Sequence, residues 1–448
     1  MSGTTYWCEL ARLDDRVRAD VSLTVEDGRF TAIEAAVPAP PDAVRLSGLT
    51  IPGLANAHSH AFHRALRGRT QSGSGSFWTW RDTMYRAAER LDPDRYHRLA
   101  RATFAEMALA GITVVGEFHY LHHQPDGTPY ANPNAMGEAL LAAADEAGIR
   151  ITLLDTLYLH GGLTADGYMP TEGVQRRYDD GDAASWAERV DRLSPSPTAR
   201  IGAAIHSVRA VDPDAMRVAA AWADQYDAPL HAHVSEQQAE NAQCLAHHGT
   251  TPTGLLRGVG VLGDRCTAVH ATHLDDADIA AYSAAGASVC LCPTTERDLG
   301  DGIGPSATLA DAGVTMVLGS DSHAMIDLLA EARAVELDQR LRTEGRGVHP
   351  PSSLLGMATV HGHAVLGWDD AGMISPGSRA DLVTISLDSV RTAGGSADTA
   401  IETAVFAASA ADVTHVVVDG TAVVTDGRHD TIDVAAQLRE SIEEVMDA

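Results

Sequence analysis

Three observations predict an α/β chain built on a closed, TIM-like (β/α)8 barrel, with a small composite β domain formed by the N- and C-terminal segments. Short apolar runs alternate with amphipathic stretches, eight such runs fall between residues 49 and 320, and histidines or acids recur just behind them. Buried strands separated by helices are the signature of a parallel sheet, and eight of them favour closure into a barrel with its functional groups at the carboxyl ends of the strands. A doubly wound open sheet is the structural alternative.

The first run, Leu49 to Leu54, leads directly into Ala57-His58-Ser59-His60. The others are Ile112 to Phe118, Ile151 to Tyr158, Ile201 to Ser207, Pro229 to Val234, Cys266 to Ala271, Ala287 to Cys292, and Val314 to Ser320. Outside them the pattern changes. Val21 to Ala35, Asp381 to Leu387 and Val413 to Val424 alternate like short strands, and Asp27-Gly28, Asp419-Gly420 and Asp426-Gly427 read as hairpin turns. Residues 1–48 and 372–448 are therefore expected to form one composite domain, and residues 49–371 the barrel. Within Ala61 to Arg90, the stretch Gln71 to Ser76 reads as a linker or a mobile lid over the barrel mouth.

A formal net charge of −28 argues against nucleic acid or an anionic membrane surface as partner, since the summed field repels both. An anionic small-molecule substrate then needs arginines placed close to it. All 33 basic residues are arginine, because the chain contains no lysine. Five scattered cysteines suit reduced thiols in a cytoplasmic protein, and no apolar run reaches the 18 or so residues of a membrane span.

His58 and His60 are the strongest chemical signal. Alternate residues of a strand share a face, so the two imidazoles can grip one metal ion; on a helix the same spacing sets them about 200° apart. His361-Gly362-His363 has that spacing in a helical context and is not expected to chelate. His233 with Glu236 follows the fifth run, His270 ends the sixth, and Asp321 follows the eighth. His231 shares the strand face of His233, but His233 lies nearer the carboxyl end and is taken as the ligand. Three imidazoles and a carboxylate suit zinc or iron with a position left for water, whose pKa such an ion lowers to about 7. Asp321 would bind the ion and accept a proton, Glu236 would carry that proton to a leaving nitrogen, and His270 would polarise the substrate. The bland reading of Glu236 is a solvated loop carboxylate.

These motifs resemble the amidohydrolase superfamily, whose barrel carries His-x-His on strand one, histidines on strands five and six, and aspartate on strand eight. Members with two metals bridge them through a carboxylated lysine, which a chain without lysine cannot supply. The resemblance thus narrows to the mononuclear branch with His-x-x-Glu after strand five, rich in deaminases. Within it, Asn56 to Ala65, Ser76 to Arg86, Gly116 to His123 and Ala204 to Val211 are similar to the formimidoylglutamate deiminases. That resemblance implies one divalent metal per chain, zinc or iron, held by His58, His60, His233 and Asp321. It implies N-formimidoyl-L-glutamate as the substrate, within histidine degradation, and a homodimer. Its carboxylates would be met by Arg81, Arg209, Tyr120 and His206. His63 stands where the pattern has glutamine, which leaves its contact open. As structural residues, Arg81 would make a surface ion pair, Arg209 would pair with Asp212 or Asp214, and Tyr120 would pack at the rim. The rival functions are a deaminase of a nucleobase or related heterocycle, and a catalytically silent metal-binding scaffold.

Overall fold

A computed structural model describes residues 3–71 and 77–447. Eight parallel strands form the barrel in sequence order: Leu54–Ser59, Ile112–His119, Arg150–Leu157, Ala199–Ile205, Leu230–Val234, Cys266–His270, Ser288–Leu291 and Thr315–Leu318. Each is buried along nearly its whole length, as expected of strands covered on both faces, so each reads in the sequence as an apolar run. The ring closes between its first and last strands. A parallel bridge joins Ser59 to Asp321, where the amide of His60 donates to the Asp321 carbonyl (3.3 Å) and the amide of Asp321 to the His58 carbonyl (3.0 Å). Gly319 permits that approach, since a Cβ there would lie 2.7 Å from the His58 Cβ.

The strand feeding the His-x-His pair differs from the sequence expectation. Leu49–Pro52 belongs to a longer strand, Val44–Pro52, of a second sheet, and the barrel strand begins at Leu54 and contains His58. That second sheet has eight strands in the order Arg428–His429, Thr421–Thr425, Val413–Val418, Leu382–Ile385, Val44–Pro52, Thr4–Leu13, Arg16–Glu26 and Arg29–Glu34. Both ends of the chain thus meet along the pairing of Val44–Pro52 with Leu382–Ile385, where the hydroxyls of Thr50 and Thr384 lie 3.0 Å apart. The Asp-Gly pairs make its tight turns: Asp27, Asp419 and Asp426 and the glycines behind them all have positive φ, as a type I′ turn requires.

The segment Ala61–Leu66 is a 3-10 helix and Phe77–Arg90 an α-helix, both beside the barrel mouth. The lid expected over Gln71 to Ser76 lies, from residue 72 onward, outside the described residues. His361 and His363 sit on the helix Val360–Val365, and His363 donates to or accepts from protein groups, with Nδ1 3.0 Å from the Thr359 carbonyl. Among the described residues no helix is long and apolar enough to cross a membrane.

Candidate metal and active site

The candidate ligands arrive from three strand ends. His58 and His60 project from the first strand, His233 from the fifth, and Asp321 from the turn after the eighth. One ligand atom from each lies within 4.8 Å of all the others. The Nε2 of His58 is 3.2 Å from that of His233 and 3.2 Å from Asp321 Oδ1, which is also 3.3 Å from His60 Nε2. In two of the three imidazoles the second ring nitrogen is tethered: His60 Nδ1 donates to the Phe118 carbonyl and His233 Nδ1 to the His206 carbonyl, each at 2.9 Å. Such tethers fix Nε2 as the free, lone-pair-bearing nitrogen that a metal needs. Burial holds all three imidazoles below their ordinary pKa, His58 at about 3, so they stay neutral. Burial would raise the Asp321 carboxyl, but the imidazoles of His58, His270 and His60 outweigh it and keep the group ionised. Three neutral imidazoles and one carboxylate, converging on one point, are a donor set for a single divalent cation.

His231, the competitor of His233, is engaged elsewhere, with Nε2 3.2 Å from the Val365 carbonyl. In a second histidine cluster, His119, His122 and Asp155, the carboxylate is already engaged by other protein groups. Asp155 accepts two hydrogen bonds from Arg189, both 2.8 Å, and one from the Trp186 indole, so a guanidinium occupies the cation position.

A cavity opens over the first cluster and is lined by His60, His63, Arg81, Tyr120, His206, Arg209, His233, Glu236, His270 and Asp321. Every site residue expected from the sequence is there except His58, which is fully buried. His63 Nε2 lies 3.0 Å from the Tyr120 hydroxyl, so the histidine in the glutamine position meets a tyrosine that also lines the cavity. Arg209 does not pair with Asp212 or Asp214. Asp212 caps the helix Pro213–Tyr226 and faces His160 (3.2 Å), Asp214 pairs with Arg217, and Arg209 Nε instead lies 3.5 Å from the buried carboxylate of Glu240. Burial and the neighbouring Arg209 hold the His206 imidazole well below its ordinary value, so it is neutral.

His270 is the exception among the imidazoles. Burial opposes its protonation, yet the carboxylates of Glu236, Asp321 and Glu296 outweigh burial and hold its pKa well above the ordinary value. Its Nδ1 is 3.6 Å from Glu296. Several residues that end or follow the strands have left-handed backbones although none is glycine: Ser235 (φ 52°), His270 (φ 69°), Ala271 (φ 50°) and Asp321 (φ 43°). Each such residue costs of order 1 to 3 kcal/mol, and strain of this kind collects where side chains must be aimed.

Sequence reasoning missed four contributors. Glu117 accepts from the Ser59 hydroxyl and the Ala61 amide, both 2.6 Å, bracketing His60, and burial pushes its carboxyl up to about 8. An acid inside the apolar run Ile112 to Phe118 was its signal. Glu296 and Glu240 stand among many surface-like acids and carry no such signal. Gln175 reaches the cavity from a 3-10 helix and donates to the Tyr158 hydroxyl (3.1 Å).

A barrel with catalytic-type acids and a four-ligand cation site at the carboxyl ends of its strands is a metal-dependent hydrolase by architecture. The chain belongs to the amidohydrolase family, whose pattern it matches over residues 49–423, and it is a hydrolase acting on carbon–nitrogen bonds. It is 38% identical over 400 residues to a formimidoylglutamate deiminase of Pseudomonas aeruginosa, covering 86% of this chain and 87% of the relative. An 8-oxoguanine deaminase of the same organism is 31% identical over 426 residues, covering 93% and 92%. The crystal structure of an amidohydrolase from Brucella melitensis superposes with a TM-score of 0.90 at 33% identity, covering 99% of this chain and all of that one.

Proposed function

We propose that the protein hydrolyses N-formimidoyl-L-glutamate to N-formyl-L-glutamate and ammonia, a reaction of histidine degradation. The observation that carries this reading is the position of Arg81 and Arg209. In a chain of net charge −28, two guanidiniums line the same cavity as His233, Glu236, His270 and Asp321. Two fixed cations beside a hydrolytic centre suit a small dicarboxylate, which a guanidinium grips in a bidentate fork. The 38% identity to a formimidoylglutamate deiminase supports the same substrate.

His58, His60, His233 and Asp321 would hold one divalent ion, zinc or iron(II). Bound there, it would act as a Lewis acid and make water available as a nucleophile near neutral pH. Arg81 and Arg209 bind the two substrate carboxylates, with Tyr120 and His206 adding hydrogen bonds. His63 orients the Tyr120 hydroxyl. Asp321 turns Oδ1 toward His58 and His60, which leaves Oδ2 to take a proton from the attacking water. Water adds to the formimidoyl carbon, and His270 hydrogen-bonds the added oxygen. Glu236 carries the two protons of the water in turn to the terminal nitrogen, and the bond from that nitrogen to carbon breaks as the formyl carbonyl forms, releasing ammonia.

The test is release of ammonia from N-formimidoyl-L-glutamate by the zinc-loaded or iron-loaded protein. No ammonia, together with turnover of an aminated heterocycle, would overturn the proposal. That rival has one observation in its favour besides the 8-oxoguanine deaminase similarity: Tyr85, Tyr120, Tyr158 and Tyr178 also line the cavity and offer faces for a ring. Arg81→Ala and Arg209→Ala separate the two readings, because a neutral ring substrate does not need the guanidiniums.

A further inference from the structure

We infer that Glu240 is a positioning residue that ties the carboxylate-binding Arg209 to the loop carrying Glu236; this rests on the dicarboxylate reading of the cavity. Glu240 stands in the first turn of the helix Gln238–His248, just beyond the fifth barrel strand, and its side chain is wholly buried. Its two oxygens face different partners. Oε1 accepts the Ser235 amide at 3.2 Å, and Oε2 lies 3.5 Å from Arg209 Nε, a charge contact without hydrogen-bond geometry. A buried carboxylate requires a counter-charge, and Arg209 is the cation beside it.

The geometry has two consequences. Nε is the Arg209 nitrogen nearest Glu240, and the same side chain lines the cavity, so Glu240 holds from behind a guanidinium whose remaining N–H groups can take a carboxylate in bidentate fashion. On the other side, Ser235 is held in a left-handed conformation at φ 52°, and the next residue is Glu236. The Glu240 oxygen on the Ser235 amide stabilises that turn, and the turn directs Glu236 to the cavity. One buried side chain therefore aims both the substrate-binding cation and the proton carrier.

Glu240→Gln and Glu240→Ala pull these two functions apart. The glutamine is of equal size and can still accept the Ser235 amide, but it turns an amide donor toward Arg209. For Glu240→Gln the expected result is a rise of about tenfold in KM for N-formimidoyl-L-glutamate with a smaller change in kcat. The ratio of kcat/KM between that substrate and the carboxylate-free N-methylformamidine should fall by the same factor. Glutarate, measured by calorimetry on the metal-loaded protein, should bind about tenfold more weakly. Glu240→Ala also removes the support of Ser235 and should lower kcat on both amidines. Equal glutarate affinity in wild type and Glu240→Gln, or no glutarate binding by wild type, overturns the assignment. Failure of wild type to release ammonia from N-formimidoyl-L-glutamate, with glutarate affinity still lost in Glu240→Gln, refutes the reaction while leaving the positioning role standing. If Glu240→Gln does not fold, Glu240→Asp keeps the charge, withdraws it from Arg209, and is expected to show the same loss of glutarate affinity; unchanged affinity there overturns the assignment too.

Discussion

The two ends of the barrel both bury charge, but they close their accounts differently. At the amino-terminal end, Arg150 and Asp381 are almost wholly buried and face each other in a bidentate pair. Asp419 bridges Arg150 (3.1 Å) to Arg379 (3.0 Å), and Arg150, Arg200 and Arg379 ring the indole of Trp368 at 4.5 to 5.0 Å. Each carboxylate there meets a guanidinium, and the cluster joins the barrel to the terminal sheet. At the carboxyl end, the Nε2 atoms of His58 and His233 face each other at 3.2 Å beside Asp321, and among the described residues no guanidinium pairs with that carboxylate. Carboxylates matched to guanidiniums hold a fold together, whereas several imidazoles and a carboxylate converging on one point are a donor set suited to a metal ion.

The predictions probe that contrast. Glu236→Gln should lower kcat for ammonia release by roughly a thousandfold, as expected for loss of a general acid–base group, with metal content by elemental analysis unchanged. Parallel loss of metal would instead assign Glu236 to the cation site. At the opposite end, Asp381→Asn leaves Arg150 buried without its main partner and should cost about 3 to 5 kcal/mol in chemical denaturation, while KM of the surviving folded protein stays near the wild-type value. A change in KM instead would mean that the two ends are coupled. Arg209→Ala should raise KM for the dicarboxylate about a hundredfold with a smaller effect on kcat.

A weaker effect is expected with acid. Burial would raise the Asp381 carboxyl, but Arg150 more than offsets it and holds the group below the ordinary carboxylate range. Its stabilising contribution is therefore complete above the unfolded value of about 3.9 and is lost as pH falls below that toward the folded value. Unfolding free energies at pH 5, 4 and 3 should fall more steeply in wild type than in Asp381→Asn, and parallel slopes would contradict this. The smallest effect belongs to His63→Gln, where the amide can still reach the Tyr120 hydroxyl; less than about tenfold in kcat/KM is expected.

How much was legible varied with the kind of residue. The eight barrel strands stood out because strands buried on both faces must be apolar throughout, and that leaves a continuous run. The same property misled at the first strand: Leu49–Pro52 and Leu54–Ser59 are both fully buried, so the run looked continuous although Pro52-Gly53 passes the chain from one sheet to the other. Thr4–Leu13, which lies next to Val44–Pro52 in the terminal sheet, was not read as a strand, since Glu9 and Arg12 interrupt its apolar pattern. Arg209 illustrates the limit for charges. Its neighbours in sequence, Asp212 and Asp214, are used locally by a helix cap and by Arg217, and its counter-charge comes from a different element, at Glu240.

The sequence by itself determined the strand and helix alternation, the His-x-His pair and the later His, Glu and Asp positions, and, through the absence of lysine, the exclusion of a lysine-bridged pair of metals. These depend on residue type and short spacing, which local periodicity preserves. Only the tertiary structure decided that His58, His60, His233 and Asp321 converge within 4.8 Å, that His63 meets Tyr120, and that Glu240 stands behind Arg209. Those facts depend on closure of the ring between Ser59 and Asp321 and on the lateral order of the strands. Contacts between distant elements are set by that closure and leave no trace in the local pattern of the chain.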